Sequence, residues 1–252
     1  MEKNVDAYKT TEFSEWSEKD EINSVEDFIL RSLDGNKSVL DAGTGGGRFL
    51  HALKSRGLNL LTGFDYLEEF IEIAKKRDVS GTIKFDVADA KRLPYKNEQF
   101  DQCLYLQQVL CLIEDKEGRI SALRELQRTM KRNGVAYISL LLKESREKTP
   151  PGFLLKCYLR IFRKFLHRNI SLSLQPWLQH GGCFNWSCFL DAPPYIYWYS
   201  LKEAIEDITS VGLVVHGIAS DNQLTEGRWL NSDSIRGNEI FKGVLYIKCG
   251  KK

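Results

Sequence analysis

Three apolar runs in the first part of the chain each stop at an aspartate. Val39-Leu40 leads into Asp41, Leu58 to Phe64 leads into Asp65, and Thr82 to Phe85 leads through Asp86 to Asp89. Between them, apolar residues recur at helical spacing: Phe49, Leu50 and Leu53 after the first run, then Phe70, Ile71 and Ala74 after the second. Strand-like runs alternating with helix-like repeats predict βαβ units around a parallel sheet. Upstream, Ser24-Val25-Glu26-Asp27 reads as a capping box opening a helix that Gly35 ends. Downstream, Phe100 to Leu110 predicts a fourth strand, and Arg119 to Met130 a helix capped by Asn133-Gly134. Val135 to Leu142 then predicts a fifth strand. A second capping box, Ser200 to Glu203, opens a helix running to Gly212. Strands over Leu213–Ile218 and Ile240–Ile247 complete the set, with a polar loop from Asp221 to Asn238 between them.

The turn after the first run is Gly43-Thr44-Gly45-Gly46-Gly47. Glycines at a strand–turn–helix corner let the backbone approach a nucleotide-like ligand closely. A carboxylate at Asp65 can accept from both hydroxyls of a ribose. Asp89 can accept from an exocyclic amine while the Ala90 amide donates to a ring nitrogen, and together these would hold an adenosine. A single aspartate in such a place is commonly a turn or helix cap; three in this order point to a cofactor. A nicotinamide dehydrogenase also uses a glycine-rich first turn, but its fingerprint needs a small residue where Arg48 stands.

Residues Lys37 to Leu142 resemble the core of a class I S-adenosylmethionine-dependent methyltransferase. DAGTGGG resembles the first motif of that superfamily and GFD the second. ADAKRLPY, followed by Phe100 to Leu110, resembles its third motif and fourth strand. The resemblance implies an α/β, Rossmann-like, seven-stranded and mostly parallel sheet with helices on both faces and a substrate cover inserted after the fifth strand. It implies S-adenosyl-L-methionine as cofactor, with Gly43 and Gly45 facing the methionine moiety, Asp65 the ribose, and Asp89 with Ala90 the adenine. Gln107 is then expected near the sulfonium, and Asp41, Thr44 and Tyr66 complete the expected cofactor set. Relatives often fold an N-terminal segment over the cofactor; Tyr8 is the expected lid residue, and Trp16 is expected to pack on the sheet edge. The expected organisation is an N-terminal helical lid over 1–36, a cofactor core over 37–142, a cover over 143–199 and the rest of the sheet over 200–252.

The inserted stretch has a chemistry of its own. No acidic residue lies between Glu147 and Asp191, while Lys156, Arg160, Arg163, Lys164 and Arg168 cluster. Leu154, Leu155, Tyr158, Ile161, Phe162, Phe165 and Leu166 recur opposite them at helical spacing. A basic amphipathic helix can act as a lid or lie on an anionic membrane surface; the lid is the expectation, with a membrane-surface enzyme methylating a lipid-like acceptor as an alternative. Trp177, Phe184, Trp186, Tyr195, Tyr197 and Trp198 are expected to line the cover.

Over 252 residues the formal net charge is +2, which points to no nucleic-acid partner, and no broad basic field is seen. The expected partner is therefore a small-molecule or peptide acceptor, with membrane contact not favoured and nucleic acid excluded. Six cysteines without a CxxC pair, with no apolar leader or span, make the cytoplasm the expected compartment. His180, Cys183 and Cys188 lack a fourth ligand at regular spacing, so no metal is expected.

Methyl transfer is an in-line displacement that asks mainly for alignment and dryness. Oxygen is the expected acceptor atom and nitrogen the second. A hydroxyl or ammonium acceptor must lose a proton, and small-molecule relatives often carry a histidine after the fourth strand; Leu112 stands there. His180, beside Gly181-Gly182, is the candidate general base. A carboxylate acceptor would need none. A cofactor-binding protein without turnover is the remaining alternative.

Overall fold

The computed structural model describes every residue except 1, 11, 181 and 232–240. Three N-terminal helices, α1 (Glu2–Thr10), α2 (Phe13–Glu18) and α3 (Ser24–Arg31), precede the sheet. The alternating core follows as β1 (Val39–Ala42), α4 (Arg48–Ser55), β2 (Leu61–Asp65), α5 (Glu68–Arg77), β3 (Lys84–Val87), β4 (Phe100–Tyr105), α6 (Lys116–Thr129) and β5 (Met130–Leu141). Then come α7 (Lys143–Glu147), α8 (Pro150–Phe165), the short strands β6 (Leu174–Pro176), β7 (Gln179–His180), β8 (Cys183–Phe184) and β9 (Tyr195–Tyr197), and α9 (Leu201–Ser210). The chain ends with β10 (Leu213–Ser220), α10 (Asp221–Thr225) and β11 (Val244–Lys251).

The sheet has seven strands in the order β10-β11-β5-β4-β1-β2-β3. β1, β2, β3, β4 and β5 are parallel, while β11 runs antiparallel to both its neighbours. Alternate strand residues feed two cores. Leu40, Cys103, Ala136 and Ile138 join Leu123 and Leu126 of α6 and Ile208 of α9. Val39, Leu104 and Tyr137 join Ile29 of α3, Leu50 of α4 and Ile71 of α5. That is the doubly covered parallel sheet expected from its apolar strands. Cys103 in β4 and Cys111 beyond its end are buried thiols. Among the described residues no helix is long and apolar enough to cross a membrane.

Several boundaries differ from expectation for local reasons. The capping box of α3 is Asn23 with Glu26, one residue earlier than expected, because Asn23 Oδ1 accepts from the Glu26 amide and Glu26 returns the bond. The Ser200 hydroxyl does cap α9, but the Glu203 carboxylate turns away to accept from the Tyr197 hydroxyl at 2.6 Å. Asn133-Gly134 caps no helix. The chain leaves α6 at Thr129 and is already extended at Met130, with a bulge between the Phe100–Met130 and Gln102–Val135 pairs. β4 stops at Tyr105, because Gln107 and Gln108 both take left-handed backbone, φ 56° and 58°. The last strand begins at Val244, and Ile240, where it was expected to start, lies with part of the expected polar loop in 232–240, outside the described residues.

Candidate active site

The C-terminal ends of β1, β2 and β4 meet where an open α/β sheet binds its ligands. Asp41 lies buried near the C-terminal end of β1 and accepts from the Thr44 hydroxyl at 2.7 Å. Burial raises its carboxyl to about 7, against the opposing pull of Thr44 and Arg48. Asp65 closes β2 and orders the turn: one carboxylate oxygen accepts from the Gly45 amide and the other from the Leu67 amide, each at 3.0 Å. Burial raises this carboxyl too, and those amides hold it down. Gly45 has φ 53°. At Gly46 a Cβ would lie 2.1 Å from the Ser17 carbonyl, since α2 passes directly across the turn.

The glycine turn and Asp65 open onto one cavity. Its walls include Gly43, Gly45, Asp65, Tyr66, Asp89, Ala90 and Gln107 of the expected cofactor set, with Tyr8 above them. Phe64, Phe70, Val109, Leu112 and Ile113 supply apolar surface, so the cavity combines carboxylates and backbone amides with apolar walls. That donor set fits a nucleoside joined to a zwitterionic chain. Asp41 and Thr44 stand behind the wall, bonded to each other. Asp89 accepts from the Lys91 amide at 2.9 Å through Oδ1 and pairs with the Lys91 ammonium at 3.4 Å through Oδ2, and a carboxylate so engaged still has lone pairs for a ligand amine.

The N-terminal helices form the roof. Asn4 is 3% exposed and grips two distant strands of chain. Its amide donates to the Leu112 and Tyr195 carbonyls, and its oxygen accepts from the Tyr195 amide at 2.9 Å. Tyr8 packs edge-on against Trp177 at 5.4 Å, and burial raises its phenol well above the ordinary range. Trp16 does not pack on the sheet edge: it lines the cavity, and its carbonyl accepts from the Gly46 amide at 3.1 Å. Its role was hidden because the sequence shows no helix face for it.

A second, larger cavity of ≈ 440 Å³ adjoins the first and shares Tyr8, Trp16, Gln107 and Leu112 with it. Its other walls include Arg146 at the end of α7, and Trp177, Ile196 and Trp198 from the inserted stretch. Of the six aromatics expected to line the cover, only Trp177 and Trp198 do so. Phe184 and Trp186 are exposed and pack on each other, and Tyr197 lies under the Arg119 guanidinium, 3.5 Å from its ring centroid. The expected basic face of α8 is also smaller. Arg163 is buried and forks onto buried Asp191, and Lys156 pairs with Glu147 at 2.6 Å. Leu155 and Leu159 face inward, while Leu154, Ile161 and Phe165 are exposed. His180 stands in β7; its side chain lies outside the described residues. Among the described residues no cluster of three or more histidine, cysteine, aspartate or glutamate side chains could hold a metal ion.

Residues 40–138 match the methyltransferase domain family. Over 120 residues, 48% of this chain, the sequence is 30% identical to a tRNA (carboxymethyluridine(34)-5-O)-methyltransferase, alkbh8, of Xenopus tropicalis; the match spans 18% of that relative's length. The fold is similar to a SAM-dependent methyltransferase of Methanosarcina mazei, with TM-score 0.63 and 19% identity over 88% of this chain and 96% of that one. It is also similar to a TehB-like SAM-dependent methyltransferase of Corynebacterium glutamicum, with TM-score 0.57 and 16% identity over 100% and 97%. The expected partners need correction. The exclusion of nucleic acid in favour of a small molecule or peptide is overturned by similarity to an enzyme that acts on tRNA. Net charge reports the whole surface, whereas an acceptor meets a local field, so near-neutrality carried no such exclusion.

Proposed function

We propose that this chain, which belongs to the class I S-adenosylmethionine-dependent methyltransferase superfamily and takes S-adenosylmethionine as its cofactor, transfers methyl to an oxygen on a modified nucleoside of RNA. The observation that carries the reading is the pair of adjoining cavities, one with the donor set of a cofactor site and one walled by Trp177, Trp198 and Arg146. When bound, the cofactor supplies a methyl group on a positively charged sulfur, a leaving group that needs no further activation. In the first cavity, Asp65 accepts from the ribose hydroxyls, Asp89 and the Ala90 amide read the adenine, and Gly43 and Gly45 let the methionine chain lie against the backbone. Gln107, shared by both cavities, stands at their junction.

The acceptor enters the second cavity. RNA is read mainly at unstacked bases of single-stranded loops, which stack on aromatic side chains; Tyr8, Trp177 and Trp198 supply those faces. The roof held by Asn4 keeps water from the junction. Similarity to a carboxymethyluridine methyltransferase supports a carboxylate oxygen as acceptor. Such a group is ionised at neutral pH, so the chain has only to align it.

The test uses the purified chain, methyl-labelled cofactor and two RNA stem-loops whose loop uridine carries a 5-carboxymethyl or a 5-carbamoylmethyl group. Label is expected on the acid-bearing loop alone, and mild alkali should release it, as for a methyl ester. Absence of label on either RNA, with S-adenosylhomocysteine still bound, would reject the RNA acceptor and leave the cofactor standing.

A further inference from the structure

Among the described residues the fully buried arginines each have charge partners or carbonyl acceptors, although Arg119 Nε itself has none. Arg48 forks onto Glu26, Arg163 onto Asp191, and Arg119 donates to the Ile113 and Glu114 carbonyls. Arg146 is different. It is half-buried, and among the described residues its side chain makes no hydrogen bond and no ion pair; its Nε is shielded without a partner. Burial accordingly pulls its pKa below the ordinary arginine value, with no carboxylate to oppose the effect. Its guanidinium lies 4.2 Å from the Trp198 ring centroid, and Trp198 Nε1 is a second shielded donor without an acceptor. Both residues line the larger cavity.

The side chain is held in place. A Cβ at Gly152 would lie 2.2 Å from the Arg146 carbonyl and 2.7 Å from its Cγ, so the first turn of α8 is pressed against it. Glu12 and Glu15 line the α2 side of the same cavity, but each has a partner: Glu12 accepts from Trp16 Nε1 at 3.2 Å and Glu15 from Lys19 at 3.3 Å. The cavity wall thus carries a planar cation and, beside it, a shielded indole N–H, both without an acceptor among the described residues. A guanidinium matches a carboxylate in shape and charge.

We propose that Arg146, assisted by Trp198 Nε1, is the anion subsite of the acceptor cavity and grips the carboxylate that receives the methyl group; this rests on the reading of that cavity as the acceptor site. One carboxylate oxygen bonds the methyl carbon as the sulfur–methyl bond breaks, and that bond's electron pair stays on sulfur. The carboxylate charge cancels the sulfonium charge, and no proton moves. Arg146 can hold the other oxygen throughout and favours carboxylates over their neutral amides before any chemistry occurs.

The probe is phenylacetate, with phenylacetamide as its neutral counterpart, titrated into the complex with S-adenosylhomocysteine by calorimetry. The unmodified protein is expected to bind the acid about tenfold or more tightly than the amide, the discrimination of one charged hydrogen bond. Arg146→Gln should abolish that preference and Trp198→Phe should reduce it, both leaving S-adenosylhomocysteine affinity unchanged, which also reports that the variants fold. The two stem-loops are then compared for binding by anisotropy, with the same preference and the same loss expected. No preference for phenylacetate in the unmodified protein, or an undiminished preference in Arg146→Gln, would overturn the anion subsite. Failure of both stem-loops to bind, with phenylacetate still discriminated through Arg146, would instead reject the RNA reading and uphold the subsite.

Discussion

The guanidinium of Arg48 forks onto the carboxylate of Glu26, with Nη1 2.9 Å from Oε2 and Nη2 2.6 Å from Oε1, and both side chains are buried. The pair joins α4, just after the glycine-rich turn, to α3. The Gln107 amide donates to the same carboxylate, so one acid ties the end of β4 into the joint. Breaking one side of such a pair leaves an uncompensated buried charge. Glu26→Ala is expected to lower unfolding free energy by about 3–5 kcal/mol, and the double variant Glu26→Leu/Arg48→Leu by less than Glu26→Ala alone. Urea unfolding measures both; an additive double variant would count against the coupling.

Asp65 is expected to hold the cofactor as well as its own turn. Asp65→Ala should weaken S-adenosylhomocysteine binding by about 1.5–3 kcal/mol in calorimetry, the worth of hydrogen bonds to a charged group. Unchanged affinity would remove Asp65 from the cofactor site.

The raised Asp41 carboxyl gives a pH signature in the protein without cofactor. Between about pH 4 and 7 the folded state holds a proton there that the unfolded chain has released, so this group's contribution to stability falls as pH rises through that window. Asp41→Asn removes the loss. Its melting temperature relative to the unmodified protein should therefore climb from pH 4 to 7 and then level off. A difference independent of pH would show that Asp41 ionises normally.

Asn4 holds the roof through three hydrogen bonds to backbone. Asn4→Ala leaves the Tyr195 amide and carbonyl without those partners, at a cost of about 1–3 kcal/mol. Amides of α1 should exchange faster with deuterium, and acceptor binding should weaken. Unchanged exchange over residues 2–10 would mean that the roof is held by other contacts.

His180 separates the acceptor classes. For a hydroxyl acceptor it is the candidate base, and His180→Ala should then cut turnover by about two to four orders of magnitude. For the carboxylate proposed here the variant should keep near-normal turnover, with a flat pH–rate profile from about pH 6 to 8. A large loss would return the acceptor to a hydroxyl.

The cavity proposed to take the cofactor has parts that sit at strand ends, where an apolar run, an aspartate and a glycine turn leave a local pattern. Asp41, Gly43, Asp65 and Asp89 all follow that grammar. The cavity proposed for the acceptor leaves none. Arg146 looks like any charge in the polar stretch 143–150, and only the absence of a folded partner distinguishes it. Trp16 touches the glycine turn through its carbonyl, a contact that its side-chain type does not signal. Arg163 was counted with the basic face of the amphipathic helix for the complementary reason: its partner Asp191 lies 28 residues away and is buried with it.

The Asn4 clasp also bears on how this scaffold can be altered. A single amide side chain is bonded to residues 108 and 191 positions away, in the turn beyond β4 and at β9. Acceptor choice cannot then be transplanted as one contiguous block of sequence. A chimaera that imports residues 143–199 from another methyltransferase meets a helix α1 cut to fit the original β9, and it should regain a closed roof only when helix and strand are exchanged together.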